Sequence, residues 1–320
     1  MGADLTARER LEPFRPGKDG PWDYSAAAHL ARRLTFGSPR KLVREILEGG
    51  PRAAPAALLA DRDETPEMKA VADSQRRIGS TEAIQTWWAH RMLRGNSPAR
   101  DKLALFWHDH FATSDTKVRD ARLMMDQVQL FIRRGPGSFH ALLKAMAKDP
   151  AMLIWLDGNS NRRGEPNENF ARELMELFSL GVGNYTEEDI KEAARAFTGW
   201  HVKNRKFWFN QRAHDTGSKT IFGMTGNLDG NDASTPVLKN APALNSSPRS
   251  SSTTTWGRPF PGNCARLLAS SISRAPTTSA PWSKSSSAPG SSTQSTQGGP
   301  SCPLRLISPL EHCEPLTQQP

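Results

Sequence analysis

The run Asn167-Glu-Asn-Phe-Ala-Arg-Glu-Leu-Met-Glu-Leu-Phe178 carries two stripes at helical spacing. Phe170, Leu174, Leu177 and Phe178 make an apolar face. Asn169, Arg172, Glu173 and Glu176 fall at i, i+3, i+4 and i+7 and make a polar face opposite it. The helix begins near Asn167, and Gly181 ends it. Glu168 sits in the first turn, where the helix dipole favours an anion.

The same grammar extends outward in both directions. Ser25 is a candidate N-cap for a helix through Leu34. Ser38 and Pro39 open a second helix through Leu47, with Gly49-Gly50 beyond its end. Ser80 opens a helix through Leu93, and Ser97-Pro98 opens another through about Phe111. Further helices are expected at 117–133, 138–147 and 150–156. Thr186 with Asp189 reads as a capping box, and Gly199 closes the helix it starts. A hairpin at 206–222 is the one β feature expected. The fold class is mostly α: a multi-helix globular domain at 22–230, preceded by a flexible N-terminal arm at 1–21.

Residues 231–320 read differently. Ser, Thr and Pro supply 41 of these 90 positions, and no periodic run is long enough to build a core. A disordered or non-native Ser/Thr/Pro-rich tail is expected. A shifted reading frame accounts for Arg249-Ser-Ser-Ser-Thr-Thr-Thr-Trp-Gly257, because a codon choice exists whose offset frame encodes a plausible helix end.

Composition excludes several classes. No apolar run of the 320 residues approaches the roughly 18–20 needed to span a bilayer. The start has no apolar segment of the secretory kind, so a cytoplasmic location is expected. Of the net charge of +9, the last 90 residues carry +4, leaving an ordinary +5 on the first 230. Residues 26–48 have helix–turn–helix order, but the second helix offers few base-reading side chains. Packing at a domain edge is the preferred reading there, and no nucleic-acid partner is expected. All three cysteines follow residue 230, so the front half holds neither a disulfide framework nor a cysteine zinc site.

Three constellations carry chemistry. The polar stripe is the sharpest: Glu173 and Glu176 can present two carboxylates to one divalent ion or one proton-transfer site, with Arg172 as a pairing cation. Its plainer alternative is the solvated face of an amphipathic helix. The loop before it places Asp157, Asn159, Asn161 and Glu168 at positions 1, 3, 5 and 12 of a calcium-loop pattern. Arg162, standing where the turn requires glycine, argues against calcium. The second constellation is His108 and His110. On a regular helix they point about 200° apart and cannot chelate one ion; on an extended chain they share a face. Buried histidines bonded to carbonyls are the alternative. The third is the loop of Arg212, His214, Asp215 and Lys219, which can bring an imidazole, a carboxylate and a cation to one cleft.

Several motifs, taken in order, resemble the large bacterial family of unknown function numbered 1800. They are Trp22 to Leu34 with Phe36-Gly37, Phe106-Trp-His-Asp-His-Phe-Ala-Thr113, Asn167 to Gly181, Tyr185-Thr186-Glu187, Ala194-Arg-Ala-Phe-Thr-Gly-Trp200 and His214-Asp215. The resemblance covers about residues 22–230, and the chain departs from it near Ala233. It implies further helical sequence beyond that point, which supports the frame-shift reading and makes this a truncated version of the domain. It implies retention of Asn167, Glu168, Asn169, Arg172, Glu173 and Glu176, and it implies a partner: the product of a neighbouring gene of a sulfatase-like family. It supplies no reaction.

Two functional readings follow. In the first, a metal-assisted hydrolase-like site gathers His108, His110, Glu173 and Glu176 as ligands, with Arg172, His214 and Asp215 beside them and Asn167, Glu168, Asn169 and Lys219 in support. In the second, the domain is a non-catalytic helical binding or assembly module whose polar stripe is a buried network.

Overall fold

Apolar residues at helical spacing, separated by short capping sequences, predict helices packed on a hydrophobic core. The computed structural model describes residues 14–234 and has that architecture. The helices are α1 (Tyr24–Leu34), α2 (Arg40–Leu59), α3 (Pro66–Ile78), α4 (Thr81–Arg94), α5 (Pro98–Phe111), α6 (Asp115–Val118), α7 (Ala121–Arg134), α8 (Phe139–Met146), α9 (Pro150–Trp155), α10 (Glu168–Glu176) and α11 (Glu187–Ala196). Two antiparallel ribbons follow. Strand β1 (Trp200–Lys203) pairs with β2 (Lys206–Phe209), and β3 (Lys219–Ile221) pairs with β4 (Met224–Gly226). The single hairpin expected at 206–222 is therefore two, the first of them turning at Asn204 and Arg205, both at positive φ, five residues after Gly199.

Caps set most of the boundaries. Asp23, not Ser25, caps α1, since its carboxylate accepts the Ala26 N–H at 2.9 Å. Helix α2 does not stop at Leu47: the chain breaks at Gly50 (φ +75°) and re-enters the helix with Pro51 at its first turn, running to Leu59. Asp120 caps α7 from inside the expected 117–133 span and splits off the single turn α6. The expected arm is packed from Phe14 onward: Phe14 is buried, its ring 6.0 Å from that of Trp22. At the other end residues 230–234 are helical, with Ala233 and Ser234 buried, so the boundary expected at 230 falls inside packed structure. Residues 1–13 of the arm and the Ser/Thr/Pro-rich tail from 235 lie outside the described residues.

Helix α5 runs through the middle of the core. Leu103, Ala104, Trp107 and Phe111 are buried on it, against Val128 and Phe131 of α7 and Phe139 of α8. Each such aromatic or aliphatic side chain contributes roughly 1.5–3 kcal/mol by leaving water. Trp107 donates its indole N–H to the Gly135 carbonyl at 3.1 Å, and a Cβ at Gly135 would stand 2.6 Å from the Trp107 ring. Phe170, Leu174, Met175 and Phe178 carry the core into α10, where Phe170 meets Phe197 edge-on at 4.9 Å. An ion pair lies in the interior, with Asp101 bonded through Oδ1 and its Oδ2 buried without a hydrogen-bond partner. Arg91 holds the buried Asp101 at 2.8 Å and also meets Glu64, while Arg100 donates to the Leu59 and Ile132 carbonyls.

Asp149 is a buried carboxylate with a distinct signature. It caps α9 by accepting the Met152 N–H at 2.9 Å and also accepts the Gln127 amide at 2.7 Å. Burial outweighs those bonds and pushes its carboxyl up to about 6. A carboxyl raised on folding adds stability that is full below the unfolded value near 3.9 and is lost as pH rises through about 6. Asn in its place keeps the cap and removes the titration. The stability of Asp149→Asn relative to the native protein is therefore expected to rise by about 2 kcal/mol between pH 4.5 and 7.5 (both pH values being approximate choices). Urea unfolding at the two pH values measures this; parallel pH profiles for the two proteins would refute it.

Candidate functional site

The loop between α9 and α10 is built on one side chain. Asn161 is 1% exposed. Its amide donates to the Ala194 carbonyl in α11 at 3.0 Å, and its side-chain oxygen accepts the Asn167 N–H at 2.9 Å, at the cap of α10. Its backbone carbonyl accepts from Gly199 N–H at 3.1 Å and from His201 Nε2 at 3.2 Å on β1. A carbonyl only accepts, so Nε2 of His201 carries the proton. Around it Asn159 accepts the Val202 N–H at 2.7 Å, and Asn167 caps α10 while donating to Ser160 at 2.7 Å. Asp157, at φ +59°, pairs outward with Lys117 at 2.8 Å. The four residues set against the calcium-loop pattern thus bond to different neighbours, Glu168 among them to Arg172.

The polar stripe of α10 exists as expected, but its partners differ. Arg172 does not pair with Glu173 or Glu176. It bridges Glu168 at 3.1 Å and Glu187 at 2.8 Å, joining the first turns of α10 and α11. Asn169 donates to the Leu156 carbonyl at 3.4 Å. Glu176 accepts the Tyr185 hydroxyl at 2.7 Å, and burial together with that carboxylate pushes the Tyr185 hydroxyl up to about 12. Glu173 is half-buried; burial and then the neighbouring Glu176 raise its carboxyl, with Arg172 pulling the other way.

The histidines go elsewhere. Helix α5 stays regular through Phe111, so His108 and His110 diverge as helical geometry requires. His108 faces Trp88 and Phe131 at 5.3 and 6.5 Å, with Nδ1 buried and unbonded. His110 lies among Phe106, Phe139 and Phe178 and bonds the Phe178 carbonyl through Nε2 at 3.3 Å. Burial lowers both imidazoles, which favours their neutral forms. His214 is buried and donates from Nδ1 to the Thr198 carbonyl at 2.9 Å. Asp215 is clamped by Arg195 at 2.8 Å, and that bond holds its carboxyl below the usual range. Lys219 is 1% exposed and donates to the carbonyls of Asp215 and Gly217 at 2.6 and 3.0 Å. The expected ligand set is therefore not assembled. Among the described residues, no three His, Cys, Asp or Glu side chains are arranged to hold a metal ion. Two cavities among the described residues have linings that include no stripe carboxylate. One is a groove of about 150 Å³ on α2, lined by Leu42, Ile46, Ala54 and Leu58 among others; the other is an apolar void behind Phe170 and Leu174.

Residues 29–245 match the family model described as Protein of unknown function (DUF1800). The chain belongs to this family. No curated protein and no solved structure matches it. The DUF1800 match ends at 245, past the change in composition near 231. Among the described residues, no helix is long and apolar enough to cross a membrane.

Sequence reasoning missed Asn161 as a structural residue, along with Arg195, Glu192 and Thr198. Arg195 joins Glu192 and Asp215, Glu192 accepts the Thr220 N–H, and Thr198 accepts the Asp215 N–H. No periodic pattern marks these residues, because each acts across a long sequence separation. Asn161→Ala leaves the Asn167 N–H and the Ala194 carbonyl without their partner. It is expected to cost about 3 kcal/mol, against about 0–1 kcal/mol for Arg172→Ala at the exposed bridge. Denaturant unfolding of both variants tests this; equal losses would contradict it.

Proposed function

We propose that this DUF1800 domain is a non-catalytic helical binding or assembly module, with the residues around α10 acting as a network that fixes helix packing. One observation carries the reading. The polar groups of the stripe and its loops bond to neighbouring elements rather than converging on a shared recess: Arg172 goes to Glu187, Glu176 to Tyr185, Asn161 to Ala194 and Asp215 to Arg195. A network of this kind specifies one packing of helices and leaves the outer surfaces for partners. The partner implied by the family resemblance is the product of the neighbouring sulfatase-like gene.

A second reading has one observation in its favour. The carboxyl of Glu173, raised by burial and by the neighbouring Glu176, is the type of group that can serve as a general acid or base. Calorimetric titration of the purified protein with Zn²⁺ and Mn²⁺ separates the two. The expected result is no stoichiometric binding, and Glu173→Gln and Glu176→Gln that behave as the native protein does. One equivalent of metal bound by the native protein and lost in both variants would establish the hydrolase-like site instead.

A further inference from the structure

The β1–β2 ribbon has two unlike faces. Register alternates the cross-strand pairs, so Trp200 with Phe209 and Val202 with Phe207 lie on one side, and His201 with Trp208 and Lys203 with Lys206 on the other. The first side faces inward at Trp200, which is buried and meets Phe207 at 5.1 Å. The second side is open. Trp208 is 41% exposed, its ring 6.1 Å from His201 and 5.0 Å from the Lys203 ammonium. His201 is held in place by its bond to Asn161. From Trp200 to His214 the chain has four Lys or Arg and no Asp or Glu. Arg205 is neutralised by Asp120. Among the described residues Lys203, Lys206 and Arg212 have no carboxylate partner, nor has Arg163, whose backbone bonds Ala213 beside them.

We propose that this outer face is a stacking platform for single-stranded nucleic acid, with Trp208 and His201 beneath the bases and Lys203 and Lys206 on the phosphates. Two neighbouring aromatic rings tilted 54° to each other, with the Lys203 ammonium over the indole and Lys206 paired opposite Lys203, supply the elements of sequence-independent strand binding. A glycan would need carboxylate acceptors for its hydroxyls, and the ribbon from Trp200 to Phe209 carries none. A lipid surface would need apolar residues at the tip, and the tip is Lys203-Asn-Arg-Lys206. The net charge conceals the patch because acidic groups elsewhere in the domain balance it. The proposal stands apart from the reading of α10, and metal binding there would leave it untouched.

The test is fluorescence anisotropy of a labelled oligo-dT of about 12 nucleotides with the full chain, from low to moderate salt. Binding is expected with quenching of indole emission. Trp208→Ala is expected to weaken it about tenfold. Trp208→Phe, which keeps a stacking ring, is expected to retain most of it. Lys203→Gln with Lys206→Gln is expected to flatten the salt slope by roughly 0.7 per lysine. Thermal unfolding of the variants should match the native protein, since these side chains face outward. Absence of binding at low salt overturns the proposal. Binding indifferent to Trp208→Ala overturns it too, as does equal binding of heparin or of anionic vesicles.

Discussion

The bonding of Asn161 ties together the second half of the domain. One buried amide and its own carbonyl reach the cap of α10, the last turn of α11, Gly199 and the first residues of β1. These elements are separated by 6 to 40 residues in the chain. An unsatisfied amide in that position would cost more than any surface contact nearby contributes, so the loop is held to one conformation. The neighbouring Asn159 and Asn167 follow from it: once the loop is set, their side chains meet Val202 and Ser160.

Ion pairs play a graded role. Arg91 with Asp101 lies inside, and burial raises the Asp101 carboxyl even against the adjacent guanidinium. Such a pair serves specificity more than stability, because two desolvated charges must recover in attraction what they lose in hydration. Arg195 with Glu192 and Asp215 is partly covered and clips α11 to the β3 region, where Glu192 and Asp189 also accept the N–H groups of Thr220 and Phe222. Arg172 with Glu168 and Glu187 is exposed and orients two helix starts at little net energy. The carboxylates most suggestive of chemistry are mostly engaged in these contacts, with Glu173 left as the half-buried member.

Most helix spans were legible in the sequence. Ser80, Asn167 and the Thr186–Asp189 capping box stand where expected, and so do Phe170, Leu174 and Phe178 of the apolar stripe of α10, whereas Leu177, the residue after the helix end, is 60% exposed. These are local facts: a cap bonds an N–H two or three residues away, and a stripe repeats every turn. Asp23 displaced Ser25 because either residue can cap and only the chain's entry angle selects between them. Helix α3 carries a Thr65 cap and Pro66 at its first position but too weak an apolar stripe to be singled out.

The sequence by itself determined the helical class, the family and the paired carboxylates on one face of α10, whereas the divergence of His108 from His110 waited on α5 staying helical through Phe111. Only the tertiary structure decided what those groups bond to. Arg172 found Glu187 fifteen residues on, Glu176 found Tyr185, and His214 turned to Thr198. Asn161 passed from a doubtful calcium ligand to the residue on which the loop is built. A side chain's chemistry is written in the chain, but its partner is whatever element packing brings opposite it, and packing is settled by the whole core at once.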